Sequence, residues 1–207
     1  RNRLSFSTRN VCALLVMQQQ TLNPEAPRIV GRYMLHQEIA SGGMATVRFG
    51  RLLGSVGFSR TVAIKCLHAQ FAKDPEFTTM FLDEARLAAR VRHPNVVPIL
   101  DVVALDGELF IVMEYVQGES LSRLVRASRE RKSRIPLRIV ASVMSGVLDG
   151  LHAAHEALSE QGEPLDIVHR DVSPQNVMVG LDGVARVLDF GVAKAVAIVD
   201  VSLRDPH

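Results

Sequence analysis

Apolar and polar positions follow strand-like spacing from Tyr33 to about Met113, then helical spacing beyond Gly118. Residues 33–39, 45–53 and 61–67 read as three strands, with Gly42-Gly43 and the stretch from Gly54 to Gly57 as turn signals between them. Asp74 reads as a helix N-cap with Pro75 at the first helical position, and that helix is expected to run to about residue 90, ahead of Pro94. Residues 99–104 and 109–113 read as two more strands, joined by the hairpin pair Asp106-Gly107. Further on, Leu137, Val140, Val143, Met144, Val147, Leu148, Leu151 and Ala154 share one helix face. A polar stretch over residues 159–166 ends that helix, and short strands near Val177 and over 185–188 flank Asp182-Gly183. The order is strands first and helices second, an α+β pattern without internal repeat.

Composition narrows the class. With 47% hydrophobic and 22% charged residues over 207 positions, the chain is globular rather than disordered. A formal charge of +2 offers no global argument for nucleic acid as a partner. Cys12 and Cys66 are too few for a disulfide framework or a zinc site, which suits a cytoplasmic protein. No apolar run approaches the roughly 18 residues of a membrane span. The early run from Val11 to Met17 is too short, and Gln18 to Gln20 follow it without a small-residue cleavage site, so a secretory signal is the weaker reading. Residues 1–31 lack sustained periodicity and are expected to form a poorly ordered leader. The chain opens on Arg1 rather than Met, as a piece of a longer protein would.

The chemistry concentrates late. His169-Arg170-Asp171-Val172-Ser173-Pro174-Gln175-Asn176 puts an Asp and an Asn five residues apart, and Asp189-Phe190-Gly191 follows. One carboxylate to take a hydroxyl proton, with an amide oxygen and a second carboxylate to hold Mg²⁺, is what phosphoryl transfer needs. Upstream stand a glycine-containing turn, Ile39-Ala40-Ser41-Gly42-Gly43-Met44-Ala45-Thr46-Val47, and the strand Val62-Ala63-Ile64-Lys65. A Lys in an apolar strand calls for a counter-charge. Glu84, nineteen residues on in the first long helix, can supply it, with Asp83 as the neighbouring carboxylate. Either charge alone reads better as a solvated surface group; together with the catalytic loop the two read as a pair.

In this order the motifs resemble the eukaryotic-like (Hanks-type) Ser/Thr protein kinases of bacteria, over about residues 32 to 195. The resemblance implies a kinase-like α+β fold. Residues 32–116 would form a β-rich N-lobe with one long helix and the hinge, and residues 117–207 an incomplete, mainly helical C-lobe. It implies ATP and Mg²⁺ as cofactors and a protein substrate bearing Ser or Thr. It also implies a dimer through the N-lobe or through regions outside the chain. Asp171 matches the catalytic base, Asn176 and Asp189 the Mg²⁺ ligands, and Lys65 with Glu84 the pair that holds the α- and β-phosphates. Ile39, Ala40, Ser41, Gly42, Gly43 and Val47 would cover the nucleotide. Met113 matches the gatekeeper, Glu114 and Val116 the hinge groups that meet the adenine edge, and Ser120 a further nucleotide contact. Val47 and Ala63 from above and Met178 from below would sandwich the adenine ring. Ala88, Ile99, His169 and Phe190 match a stacked spine, which makes His169 structural rather than a base.

The chain departs from the family pattern in four places. Ala40 and Ala45 stand where the pattern has glycines, and Ala disfavours positive φ. Ser173 replaces the Lys that the Ser/Thr branch carries two positions after the catalytic Asp. Residues 159–166 lengthen the approach to His169 and are expected to bulge as a polar loop. Only sixteen residues follow Gly191, without an Ala-Pro-Glu anchor, so a truncation after the motif is expected, with a membrane tether beyond His207 left open. A non-catalytic nucleotide-binding or scaffolding module and a small-molecule phosphotransferase are the competing readings.

Overall fold

The computed structural model describes residues 27–190. Six antiparallel strands form one sheet: β1 (Arg28–Val30), β2 (Tyr33–Ser41), β3 (Ala45–Leu53), β4 (Ser59–Leu67), β5 (Ile99–Leu105) and β6 (Glu108–Glu114). Their order is β1-β2-β3-β4-β6-β5, which puts β4 between β3 and β6. That position explains the consecutive buried residues Val62, Ala63 and Ile64, since both faces of β4 are covered. Val62 and Ile64 join Val30, Tyr33, Leu35, Phe110 and Val112 in one cluster. Ala63 and Leu67 join Ala45, Phe81, Ala85, Ile111 and Met113 in the other. By the two-residue period of a strand, Lys65 takes the face of Ala63 and Leu67.

Gly50 makes this packing fit, because a Cβ there would fall 2.4 Å from Ile64 Cδ1. A short helix α1 (Ala69–Ala72) leads into α2 (Pro75–Ala88), whose N-cap Asp74 accepts a hydrogen bond of 2.9 Å from the Glu76 N–H. The helix stops at Ala88, slightly short of the expected residue 90.

A second sheet of three short strands has the order β7-β8-β9: β7 (Gly118–Ser120), β8 (Val177–Gly180) and β9 (Ala185–Val187). Two helices accompany it. In α3 (Leu121–Glu130), Ser120 Oγ accepts from the Arg123 N–H at 3.3 Å as the N-cap. In α4 (Leu137–His155), Val143, Gly146, Val147, Gly150 and Ala154 are buried. The apolar face expected on α4 is therefore divided. Its Val143 and Val147 edge packs on Val177, Ala185 and Val187, while Leu137 and Leu148 are 81% and 60% exposed. By length and composition α4 could cross a membrane, the one such helix among the described residues.

Asn95 locks the two sheets together. Its Nδ2 donates to Ala185 C=O at 2.7 Å, its C=O accepts from Val187 N–H at 2.8 Å, and Val97 N–H donates to Val187 C=O at 3.0 Å. Gly146 and Gly150 leave the room for it, since a Cβ at either would approach Asn95 to 2.7 or 2.6 Å.

Two expectations change here. The leader does not extend to residue 31, because Arg28–Val30 pair with residues 33–35 as an edge strand. The chain does not turn helical directly after Gly118, because Gly118–Ser120 pair with β8 first. Three-residue strands carry too little pattern to be seen in sequence; only their partners make them strands. The polar stretch 159–166 bulges as an exposed loop, as expected, and is closed by its own turn. Ser159 N–H donates to Glu163 C=O at 2.8 Å, Leu158 bridges to Pro164, and Glu160 meets Arg90 at 2.6 Å. Residues 1–26, with the run from Val11 to Met17, and residues 191–207, with Gly191, lie outside the described residues.

Candidate active site

The site sits where the second sheet meets the Lys65 face of the first. Lys65 Nζ lies 3.1 Å from Asp189 Oδ1, and the two side chains are 14% and 39% exposed. Lys65 also approaches the Phe81 ring of α2, with Nζ 5.9 Å from its centroid. The ammonium is thus partly desolvated but compensated. Glu84 lies on α2, the helix facing this strand; its side chain lies outside the described residues.

Asp171 and Asn176 are joined directly. Asn176 Nδ2 donates to the Asp171 backbone C=O at 2.9 Å and to its Oδ2 at 3.1 Å. With both amide hydrogens engaged there, the Asn176 Oδ1 is the atom left to ligate. A hard amide oxygen and the Asp189 carboxylate, on segments joined by the Leu188 N–H to Asn176 C=O bond, are a donor set that suits Mg²⁺, which takes one or two protein ligands and completes its shell with phosphates and water. This donor set fits the ion that the motif implied. Among the described residues no group of three or more His, Cys, Asp or Glu side chains could hold a metal without such help.

His169 ties the pieces together. It is 2% exposed, and its ring lies 5.0 Å from that of Phe190. Nε2 lies 2.7 Å from the Leu188 C=O, which requires a proton on Nε2, and Nδ1 accepts from the Asp171 N–H at 3.3 Å. Both ring nitrogens are therefore committed, and no lone pair remains for a substrate proton. Leu188 N–H donates to Asn176 C=O at 2.9 Å, closing the loop between Asn176 and Asp189. Arg170 and Asp189 have φ of 59° and 50°, a left-handed backbone that costs of order 1–3 kcal/mol per residue and is held here by these bonds. Phe190 packs with Ala88 in one cluster, against Ile99, so the expected spine residues do assemble.

The glycine-containing turn is the β2–β3 hairpin. Ala40 pairs with Val47 and Ser41 with Thr46, and Gly42 N–H donates to Ala45 C=O at 2.9 Å. Neither Ala40 nor Ala45 has positive φ. The aversion of Ala to positive φ therefore does not come into play, because both belong to extended strands that any residue adopts. Ile39 and Gly43 are exposed at this hairpin. Beneath it Val47 packs against the cluster of Ala63 and Met113. Val116 packs there too, and its backbone N–H and C=O make no hydrogen bond among the described residues. Glu114 is fixed from both sides, its N–H on Pro98 C=O at 2.9 Å and its carboxylate on Arg60 at 3.0 Å. An apolar cavity bounded by Met113, Ile99, Ala88 and Phe190 opens beside Lys65 and Asp189. Met178 lies on β8 opposite Ser120 and Arg186, apart from the Ala63 cluster, and Ser173 is half-buried. Sequence reasoning passed over Asn95; an Asn in a loop ahead of paired glycines four apart on a helix was its only signal.

Comparison with known proteins agrees with this geometry. A family model described as a protein kinase domain matches residues 33–200. The chain is 44% identical over 165 residues to the tyrosine-protein kinase MasK of Myxococcus xanthus, covering 80% of this chain and 26% of that protein. It is 36% identical over 170 residues to the serine/threonine-protein kinase PrkC of Bacillus subtilis, covering 82% of this chain and 24% of that protein. The chain thus spans about a quarter of the length of these relatives. Among solved structures, the PknI kinase domain of Mycobacterium tuberculosis superposes with a TM-score of 0.64 at 26% identity, over 83% of this chain and 64% of that one.

Proposed function

Because this chain belongs to the protein kinase domain family, we propose that it carries the ATP site and catalytic loop of a Ser/Thr protein kinase. The reaction is transfer of the γ-phosphoryl group of ATP to a protein hydroxyl, in the cytoplasm where ATP is supplied. The observation that carries the reading is the ion pair between Lys65 and Asp189, with the bonded pair Asp171 and Asn176 beside it. Asp171 orients the attacking hydroxyl and accepts its proton. Lys65, supported by Glu84 on α2, holds the α- and β-phosphates. Asn176 Oδ1 and Asp189 would hold Mg²⁺, which neutralises charge on the phosphates when bound. Residues 39–43 and Val47 cover the nucleotide. Val47, Ala63, Met113 and Met178 enclose the adenine, whose edge meets Glu114 and Val116, with Ser120 at the rim of the site.

One observation favours a second acceptor class. Ser173 supplies no charge where the Ser/Thr branch has Lys, and MasK, at 44% identity, is named a tyrosine-protein kinase. Incubating the chain with Mg·ATP, labelled on the γ-phosphate, and a generic basic protein, then separating the phosphoamino acids, tests both. Phosphoserine and phosphothreonine are expected. Phosphotyrosine alone would move the acceptor class, and nucleotide binding without transfer would remove the catalytic reading.

A further inference from the structure

His68 stands outside every motif of the phosphotransfer reading, yet four contacts converge on it. Its N–H donates to Met44 C=O at 2.9 Å, at the tip of the β2–β3 hairpin. Its Nε2 shares a hydrogen bond of 2.8 Å with Thr46 Oγ1, which in turn lies 3.4 Å from Ser41 Oγ. Its C=O accepts from the N–H groups of Phe71 and Ala72 at 2.9 and 3.1 Å, starting α1. Its ring stacks on Phe71 with centroids 6.5 Å apart, and Phe71 meets Phe77 of α2 at 4.9 Å.

The result is a continuous brace. It runs from the two hydroxyls of the hairpin, through an imidazole three residues past Lys65, to the helix that carries Glu84. Hairpin tips are the part of a sheet with fewest neighbours, and this one is exposed at residues 41–43. His68 holds that tip twice, by its main-chain N–H on Met44 C=O and by its half-buried ring on the Thr46 hydroxyl, and so limits the height at which the hairpin can sit. We infer that His68 is a positioning residue that holds the β2–β3 hairpin in register with α2, and so sets the grip on the phosphates of ATP but not on its adenosine part. This rests on the nucleotide reading above.

Affinities of the 207-residue chain for Mg·ATP and for adenosine, measured side by side by calorimetry, test it. His68→Ala is expected to weaken Mg·ATP about fivefold, the net worth of one or two hydrogen bonds, and to leave adenosine binding unchanged. Thr46→Val cuts the same brace from the other end without touching α1, so it should reproduce that selective loss; His68→Gln, which keeps a polar group in reach, should restore part of it. Equal weakening of both ligands, or of neither, in Thr46→Val would overturn the inference alone. Failure of the unaltered chain to bind either ligand would overturn the nucleotide reading and this inference with it.

Discussion

Lys65 Nζ and Asp189 Oδ1 stand 3.1 Å apart although 124 positions separate them in the chain. The contact joins the central strand of the first sheet to the residue just beyond β9, across the cleft that the motifs border. Replacing Lys65 by Met removes the cation and leaves the Asp189 carboxylate facing phosphates. Phosphotransfer should fall by roughly 100-fold or more, the cost of losing one preorganised charge at a reacting phosphate. Lys65→Arg should not restore it, because a planar fork does not reproduce a point charge on that stem. Initial rates with labelled ATP would decide this, and an active Lys65→Met variant would remove the pair from the mechanism.

His169 should prove structural. Substituting Phe keeps a ring against Phe190 but strands the Leu188 C=O, while the Asp171 N–H keeps its 2.8 Å bond to the His169 C=O. A loss of about 1–3 kcal/mol in urea-induced unfolding is expected. Abolished transfer with an unchanged unfolding midpoint would instead mark His169 as a base.

Restoring glycines to the hairpin should bring no benefit. Ala40 and Ala45 already lie in extended strands, so Ala40→Gly and Ala45→Gly each add backbone freedom to the unfolded chain. Stability should drop by about 0.5–1 kcal/mol per site, with Mg·ATP affinity unaltered. A gain in affinity would mean that the hairpin needs positive φ when nucleotide binds.

Asp182 offers a pH test. Bidentate hydrogen bonding to Arg186, helped by the Val184 N–H, holds its carboxyl well below the ordinary 3.8, at about 2. A carboxyl lowered in the folded state stabilises above its unfolded pKa, and that contribution disappears as pH falls towards 2. Asp182→Asn should therefore be less stable than the unaltered chain at pH 7 and lose less on acidification from pH 5 to 3, followed by urea titration. The effect will be small, because the Asp182 carboxylate is about half exposed.

Cys66 should resist modification. Burial pushes its thiol up to about 11, so little thiolate exists at pH 8. Iodoacetamide labelling, mapped by mass spectrometry to the peptide holding Cys66, should be slow in buffer and fast in urea. Equal rates would contradict the packing around β4.

Much of this was legible in one dimension. Asp74 before Pro75 marked a helix start, and Asp106-Gly107 marked a hairpin, because those signals act within four residues; Asp106 and Gly107 take positive φ in their turn, 52° and 78°. Alternation located β2 to β6 within a residue or two. Local pattern missed β1 and β7, three-residue strands made by their neighbours. It also weighed Ala40 and Ala45 against a positive φ that neither adopts, since a motif records residue types and not the dihedrals they occupy. Asn95 and His68 escaped because their roles consist of hydrogen bonds to segments remote in sequence.

By itself, then, the sequence determined the family, the order of the elements and the candidates for phosphoryl transfer proposed here: Asp171, Asn176, Asp189 and Lys65. These follow from residue type and short-range spacing. The tertiary structure alone decided that β4 lies between β3 and β6, that Lys65 reaches Asp189, and that Asn176 spends its amide hydrogens on Asp171. Those outcomes depend on which distant segments pack together, and packing is settled by shape and by hydrogen-bond satisfaction over the whole fold rather than by any stretch of chain.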